Sequence, residues 1–406
     1  MIKKIENIKH CFCITLVLFT TSLFGDWSQY RGENYDGICT ESIDYKSWGN
    51  GGPSALWEAE IGVGFSGCTV VDGRVFIMGN IGENIDVVTC LSEKTGKVIW
   101  TKKYKCELQP KFYEGGPGAT PTVYKGQVFT LSKFGDVLCL DGGTGKVVWQ
   151  RNLVKAYGCE VPAWGFSGSV VVYDDQLLVN VFEYGCALSI ATGKLLWKTG
   201  NAKSSYATHL PFKMGGKNCM AIFAAKSIAI IDHKVGKVLK EYKWETNYDV
   251  NAADPIPLPN DQIFISSDYG KGCGVIDFSG DNGKLVWGHK KVKSQFMAPV
   301  IWEGYIYCLT EKSNKKGKLV CLDPKTGDIQ WEEKISHPGT IFIAKDKLVN
   351  FDGKGKLSIV ALNPKKYELL ASASLLKGRC WTTPTLANGN LYVRNAKGKL
   401  ICYKVQ

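Results

Sequence analysis

The residues of this chain best suited to chemistry lie in short connectors rich in glycine, serine and aromatics. "NYDVNAADP" (247–255) carries Asn251 and Asp254, and "FYEGGPGATP" (112–121) carries Glu114. Together these offer oxygen ligands of the kind Ca²⁺ takes, and a carboxylate among them could act as a general base. "VPAWGFSG" (161–168) adds Trp164 and Phe166, and "SSYATHLP" (204–211) adds Tyr206 and His209. "KSQFMAPV" (293–300) adds Gln295 and Phe296, and "KGRCWTTP" (377–384) adds Arg379 and Trp381. Aromatic plates with a few converging polar groups are what a small-molecule pocket needs. The same composition also suits tight turns that plug a channel, and His209 alone fits a satisfied turn residue better than a catalyst.

Other motifs carry less. "GVGFSG" (62–67) matches G-x-G-x-x-G, but a strand-and-turn pattern follows it where a dinucleotide fingerprint needs a helix. "GGTGKVV" lacks the Ser/Thr that must follow the lysine of a phosphate-binding loop. The five histidines are isolated and no C-x-x-C pair exists, so zinc has no ligand spacing.

What must position the connectors is a repeat. "TGKVIW" (95–100), "TGKVVW" (144–149) and "TGKLLW" (192–197) recur as "VGKVLK" (235–240), "NGKLVW" (282–287) and "TGDIQW" (326–331). The closing residues Trp100, Trp149, Trp197, Lys240, Trp287 and Trp331 fall 49, 48, 43, 47 and 44 apart. Within the copy at 120–149 the pattern alternates as four short strands: "TVY", "QVFTL", "VLCLD" and "VVW". Turns separate them, and the last has the signature of a hairpin with a bulge. "SALWEAEI" presents Trp57 as a fourth strand with no first three, and "TPTLANGNLYVRNAKGKLICYKV" (383–405) gives three strands with no fourth. The two ends complete one another. The spacing predicts an all-β, eight-bladed β-propeller of four-stranded antiparallel blades, closed by pairing the N-terminal strand with the C-terminal strands. Closure removes the exposed sheet edges that an open solenoid would keep. In a propeller all eight connectors between blades lie at one end, which would gather the candidate residues around one mouth.

Residues 1–25 read as a signal peptide: Lys3, Lys4 and Lys9 precede the apolar run "CFCITLVLFTTSLF", and Gly25 sits at a plausible cleavage point. The expectation is an exported protein of the periplasm or cell envelope. Residues 26–56, with "WSQYRGENYDG" (27–37), are expected to form a clasp packing back on the propeller of 57–406. The net charge of +12 rests on 45 lysines against five arginines, scattered through turns. That is a solvated basic surface rather than a sequence-specific nucleic-acid site. Of 15 cysteines, Cys90, Cys139, Cys321 and Cys402 hold one phase of the repeat, which suits small buried packing residues.

The repeat "VLCLDGGTGKVVW" resembles that of the pyrroloquinoline-quinone-type (PQQ-like) propellers, a family whose repeat also builds the outer-membrane assembly factor BamB. The likeness covers the whole chain after the apolar run. It is strengthened by "WSQYRGENYDG", "VPAWGFSGS" (161–169), "SSDYGKGC" (266–273) and "CWTTPTLANGNLYVRN" (380–395). It implies the propeller fold and, as function, a non-catalytic binding or assembly scaffold with a protein or peptide partner. The alternative it implies is an alcohol oxidoreductase using PQQ with Ca²⁺, the metal on Asn251 and Asp254. Polysaccharide or small-ligand binding at the aromatic mouth is a third reading. The quinone-dependent members carry an adjacent-cysteine disulfide at the cofactor, and this chain has no Cys-Cys pair.

Overall fold

The computed structural model describes residues 25–49, 51–311 and 316–406. The signal-peptide reading falls, apart from Gly25, outside the described residues. Eight antiparallel blades each run outward through four strands, in sequence order in all but the blade that closes the ring. Blade 2 shows the plan: Thr122–Tyr124, Gln127–Leu131, Asp136–Asp141 and Val147–Asn152. The first strands of the blades are innermost, since neighbouring blades meet there. Among the described residues helix is confined to Leu153–Tyr157 and a 3-10 turn at Tyr45–Ser47. No helix among them is long and apolar enough to cross a membrane.

The repeated tryptophan holds each blade to the next. Trp149 pairs across its hairpin with Cys139, and the register shifts between Val147 and Trp149. This is the expected bulge. The same small residue faces the ring in Cys90↔Trp100, Cys321↔Trp331 and Cys402↔Trp57. All thirteen cysteines among the described residues are buried and unpaired, as a packing role requires. The indole then lies on the turn of the following blade. Trp100 covers Gly145 (φ +70°), where a Cβ would come within 2.5 Å of the ring. Its N–H donates to Gly142 O at 3.0 Å, three residues before that glycine. Trp57, Trp149, Trp197 and Trp287 repeat the bond with Glu93, Ile190, His233 and Pro324 carbonyls. The turn needs glycine both for its left-handed backbone and to admit the ring. Lys240 stands where blade 4 lacks tryptophan, and its ammonium makes the equivalent bond to Phe278 O at 2.6 Å.

The ring closes as the sequence predicts. Ala55–Glu60 pairs antiparallel with Lys399–Lys404 and becomes the outer strand of blade 8. Arg394, buried in that blade, reaches across the seam to the carbonyls of Ser66, Met78 and Gly62.

The segment before Ala55 crosses the central channel against the innermost strands. Trp27 bridges Val70 of blade 1, and Ser28 O accepts from Val123 N of blade 2. The Tyr35 hydroxyl reaches Val172 O of blade 3. Ile38–Cys39 lies parallel beside Thr340–Ala344 as a fifth strand of blade 7. The Glu41 carboxylate accepts from the backbone of Asn388 and Gly389 in blade 8. One run of chain thus ties five blades from inside the ring.

Candidate functional site

The connectors between blades build the wall of a cavity of about 780 Å³. Each contributes its side chains just before an innermost strand begins, so the strands fix the spacing around the wall. Trp164, Phe166, Tyr206, Asp254, Gln295, Phe296 and Trp381, all expected at the mouth, line it. Glu114 and Arg379 form an ion pair at 2.8 Å beside it, and the guanidinium lies 4.3 Å from the centre of the Trp381 ring.

Beside Glu114 and Arg379, two more expected residues are not on the wall. His209 is buried behind it, with Nε2 3.1 Å from Tyr184 O. Burial holds its imidazole down to about 4, so the ring is neutral at physiological pH. Asn251 is fully buried and its carboxamide is spent inside the fold. Its Nδ2 donates to Ala224 O and Trp244 O, and its Oδ1 accepts from Ser267 Oγ at 2.7 Å. Both side chains turn back to satisfy backbone groups that the connectors leave unpaired, a demand any buried connector makes.

A chain of hydrogen bonds follows the throat from blade 1 to blade 5. Gly67 N donates to Thr120 Oγ1, Thr120 N to Ser169 Oγ, and Ser169 N to Thr208 Oγ1. Thr208 N donates to Asp254 Oδ1 at 2.8 Å. Asp254 therefore holds in blade 5 the place that Ser or Thr holds in blades 2 to 4. Burial raises its carboxyl above the usual range, against the opposing pull of Arg31, the Thr208 N–H and Tyr30.

Several wall residues were not singled out from the sequence. Phe65 stacks on Trp381 at 5.6 Å and 28°, and Tyr113 meets Phe65 edge-on at 5.3 Å. Both stood in quoted connectors. Lys133 and Tyr269 come from turns between second and third strands, "SKFG" and "DYGK", which share this end of the ring. That shared end follows from an up-and-down meander and was the available signal. Tyr30 and Arg31 arrive from the N-terminal segment and line the cavity from the channel side. The Arg31 guanidinium is held by the carbonyls of Tyr35, Asp36 and Pro299.

Lys133 is 2% exposed, and among the described residues its ammonium donates to Gln109 O and Tyr113 Oη, both at 3.4 Å. Burial pushes it down to about 8, where a solvated lysine titrates at about 10.4. Between those values Lys133 binds less proton in the folded chain than in the unfolded one, so its own contribution to stability rises with pH there. Burial also pushes the cysteine thiols up, which lowers stability as pH rises above about 8.5 in any variant. The lysine is therefore read by difference: the stability of the wild type relative to Lys133→Met in urea is expected to rise from pH 7.5 to 10.5.

Ca²⁺ beside a quinone needs several oxygen donors converging on one point. Asp254 is the one carboxylate on the wall among the described residues, and one of its oxygens is taken. Asn251 is committed to the fold and Glu114 to Arg379. No group of three or more His, Cys, Asp or Glu gathers among the described residues. The donor set does not fit a calcium–quinone site.

Eight four-stranded blades, sealed by paired ends around an aromatic mouth, define a PQQ-repeat β-propeller. The chain belongs to the family described as outer membrane protein assembly factor BamB, which matches residues 83–333 and 244–406. It is 23% identical over 293 residues to the outer membrane protein assembly factor BamB of Yersinia pestis, covering 67% of this chain and 70% of that protein. The crystal structure of BamB from Moraxella catarrhalis shares the fold with a TM-score of 0.62 at 14% identity, over 87% of this chain and 99% of that one. Quinohemoprotein alcohol dehydrogenase from Comamonas testosteroni shares it with a TM-score of 0.69 at 14% identity, over 94% of this chain and 80% of that one. At such identity the solved structures establish the fold alone.

Proposed function

We propose that this protein is a non-catalytic binding and assembly scaffold of the cell envelope, acting on a protein or peptide partner. The observation that carries this reading is the fate of the polar groups at the mouth. Asp254, Asn251, His209 and Glu114 each bond within the protein, to neighbouring backbone or side chains, instead of standing free toward the cavity. The outer strands supply complementary docking ground. Val98 and Ile99, Val147 and Val148, and Leu285 and Val286 stand exposed in pairs at the bulges of blades 1, 2 and 5. Outermost strands also leave one row of backbone groups unpaired, the template for an added strand. Family membership and the apolar N-terminal run support export to the envelope.

A photo-crosslinking residue placed at Val148 or Ile99 in the producing cell tests this. Discrete adducts with one or a few envelope proteins, weakened when the neighbouring apolar residue becomes Lys, are expected. Dye reduction driven by an alcohol in the presence of PQQ and Ca²⁺, and lost in Asp254→Asn, would replace the scaffold by an oxidoreductase.

A further inference from the structure

The scaffold reading leaves the mouth unused. Its shape and lining are more specific than a channel plug requires. The cavity of about 780 Å³ lies in the range of small-molecule sites. Its rings cluster in pairs: Phe65 with Trp381, Trp164 with Tyr206 at 5.8 Å, and Tyr248 with Tyr269 at 5.4 Å. Rings packed so give broad apolar plates interrupted by polar tips. Gln295 supplies an amide carbonyl beside them, its Nε2 donating to Tyr269 Oη at 2.8 Å.

Charge decides which ligand suits these plates. Arg31 and Asp254 offset one another at the throat. Lys133 remains, with two long bonds to neutral oxygens, the Tyr113 ring 5.4 Å away and the more distant pull of Asp86, but no carboxylate within 4 Å among the described residues. Lys111 adds a second ammonium, 6.0 Å from the centre of the Trp164 ring. A buried ammonium so weakly satisfied favours an anionic group that can bond to it. The N–H groups of Gly67, Thr120, Ser169 and Thr208 at the throat are already bonded to side chains of the next blade. The side chains on offer are ring faces, hydroxyls, an amide and ammonium groups. That set matches the apolar face, hydroxyl edge and carboxylate of a uronic acid.

We infer that the mouth binds an acidic oligosaccharide, with pyranose rings on the Phe65–Trp381 and Trp164–Tyr206 plates and a uronate carboxylate on Lys133. This site is independent of the partner surface proposed above, and the two can fail separately.

Calorimetric titration with galacturonate and mannuronate tetramers, and with cellotetraose as the neutral probe, tests it. At least one uronate tetramer is expected to bind 10-fold or more tightly than cellotetraose. Lys133→Met is expected to erase that preference, while Lys133→Arg retains most of it. Trp381→Ala and, as a second variant, Phe296→Ala are each expected to weaken binding of both sugars about 10-fold with thermal unfolding still cooperative. Silence from both uronate tetramers overturns the inference. So does binding indifferent to Lys133→Met and to both aromatic variants. Tighter binding of PQQ or of an acidic aromatic peptide, displacing the uronate, would assign the mouth to that ligand instead.

Discussion

Trp149→Ala is expected to lower the unfolding free energy by about 3–5 kcal/mol, the range for deleting a large buried aromatic. The side chain is 6% exposed and covers Gly193, where a Cβ would come within 2.5 Å of the ring. Its N–H satisfies Ile190 O at 2.7 Å. Alanine therefore opens a void between blades 2 and 3 and leaves a carbonyl without its donor, two effects that add. The glycine opposite cannot fill the space, having no side chain. Equilibrium urea unfolding reads the loss directly. A change below about 1 kcal/mol would mean that the inner strands, not these ring-on-glycine contacts, hold the blades together.

The second large effect is expected at Arg394. Its side chain is 2% exposed, and it donates at 2.9 Å to Ser66 O and Met78 O and at 3.1 Å to Gly62 O. These carbonyls belong to blade 1 and the connector entering it, while Arg394 belongs to blade 8. One guanidinium thus satisfies three acceptors across the seam where the ring closes. Arg394→Met is expected to lose about 3–5 kcal/mol, since several buried acceptors are left unpaired together. Arg394→Lys is expected to recover only part, because an ammonium lacks the planar fork that spans separate carbonyls. Thermal unfolding of the three proteins side by side checks the order. Equal loss in the Lys and Met variants would show that the fork geometry, rather than the charge, carries the seam.

The architecture was legible because its signals are periodic. Tryptophan, glycine and cysteine recur in phase, and each phase has one packing reason repeated around the ring. The orphan strand at Trp57 and the missing strand after Tyr403 gave the closure. The mouth was legible only as far as its connectors. Trp164, Tyr206, Gln295 and Trp381 reach the cavity, whereas His209 and Asn251, from the same connectors, point into the wall. Which way a connector residue turns depends on which backbone groups nearby still need partners, and that is set by the neighbouring blade. Lys133 and Arg31 escaped for a different reason. Each comes from a segment outside the between-blade connectors, brought to the cavity by a turn or by the crossing of the channel.

The pairing of Ala55–Glu60 with Lys399–Lys404 also fixes an order of events during synthesis. The chain is made from its N-terminus, so the strand that seals the ring appears first and its partner last. Throughout that interval Ala55–Glu60 has no mate, and the run through Cys39 has no complete channel to cross. At about 5–20 residues per second, the roughly 340 residues between the two strands occupy the ribosome for some tens of seconds. Blades such as the one at 122–152 can form as each hairpin is completed, from local contacts alone. The final joint cannot. The unfinished ring therefore exposes two sheet edges until its last strand arrives, and a holding factor that shields such edges would act on this chain in that interval.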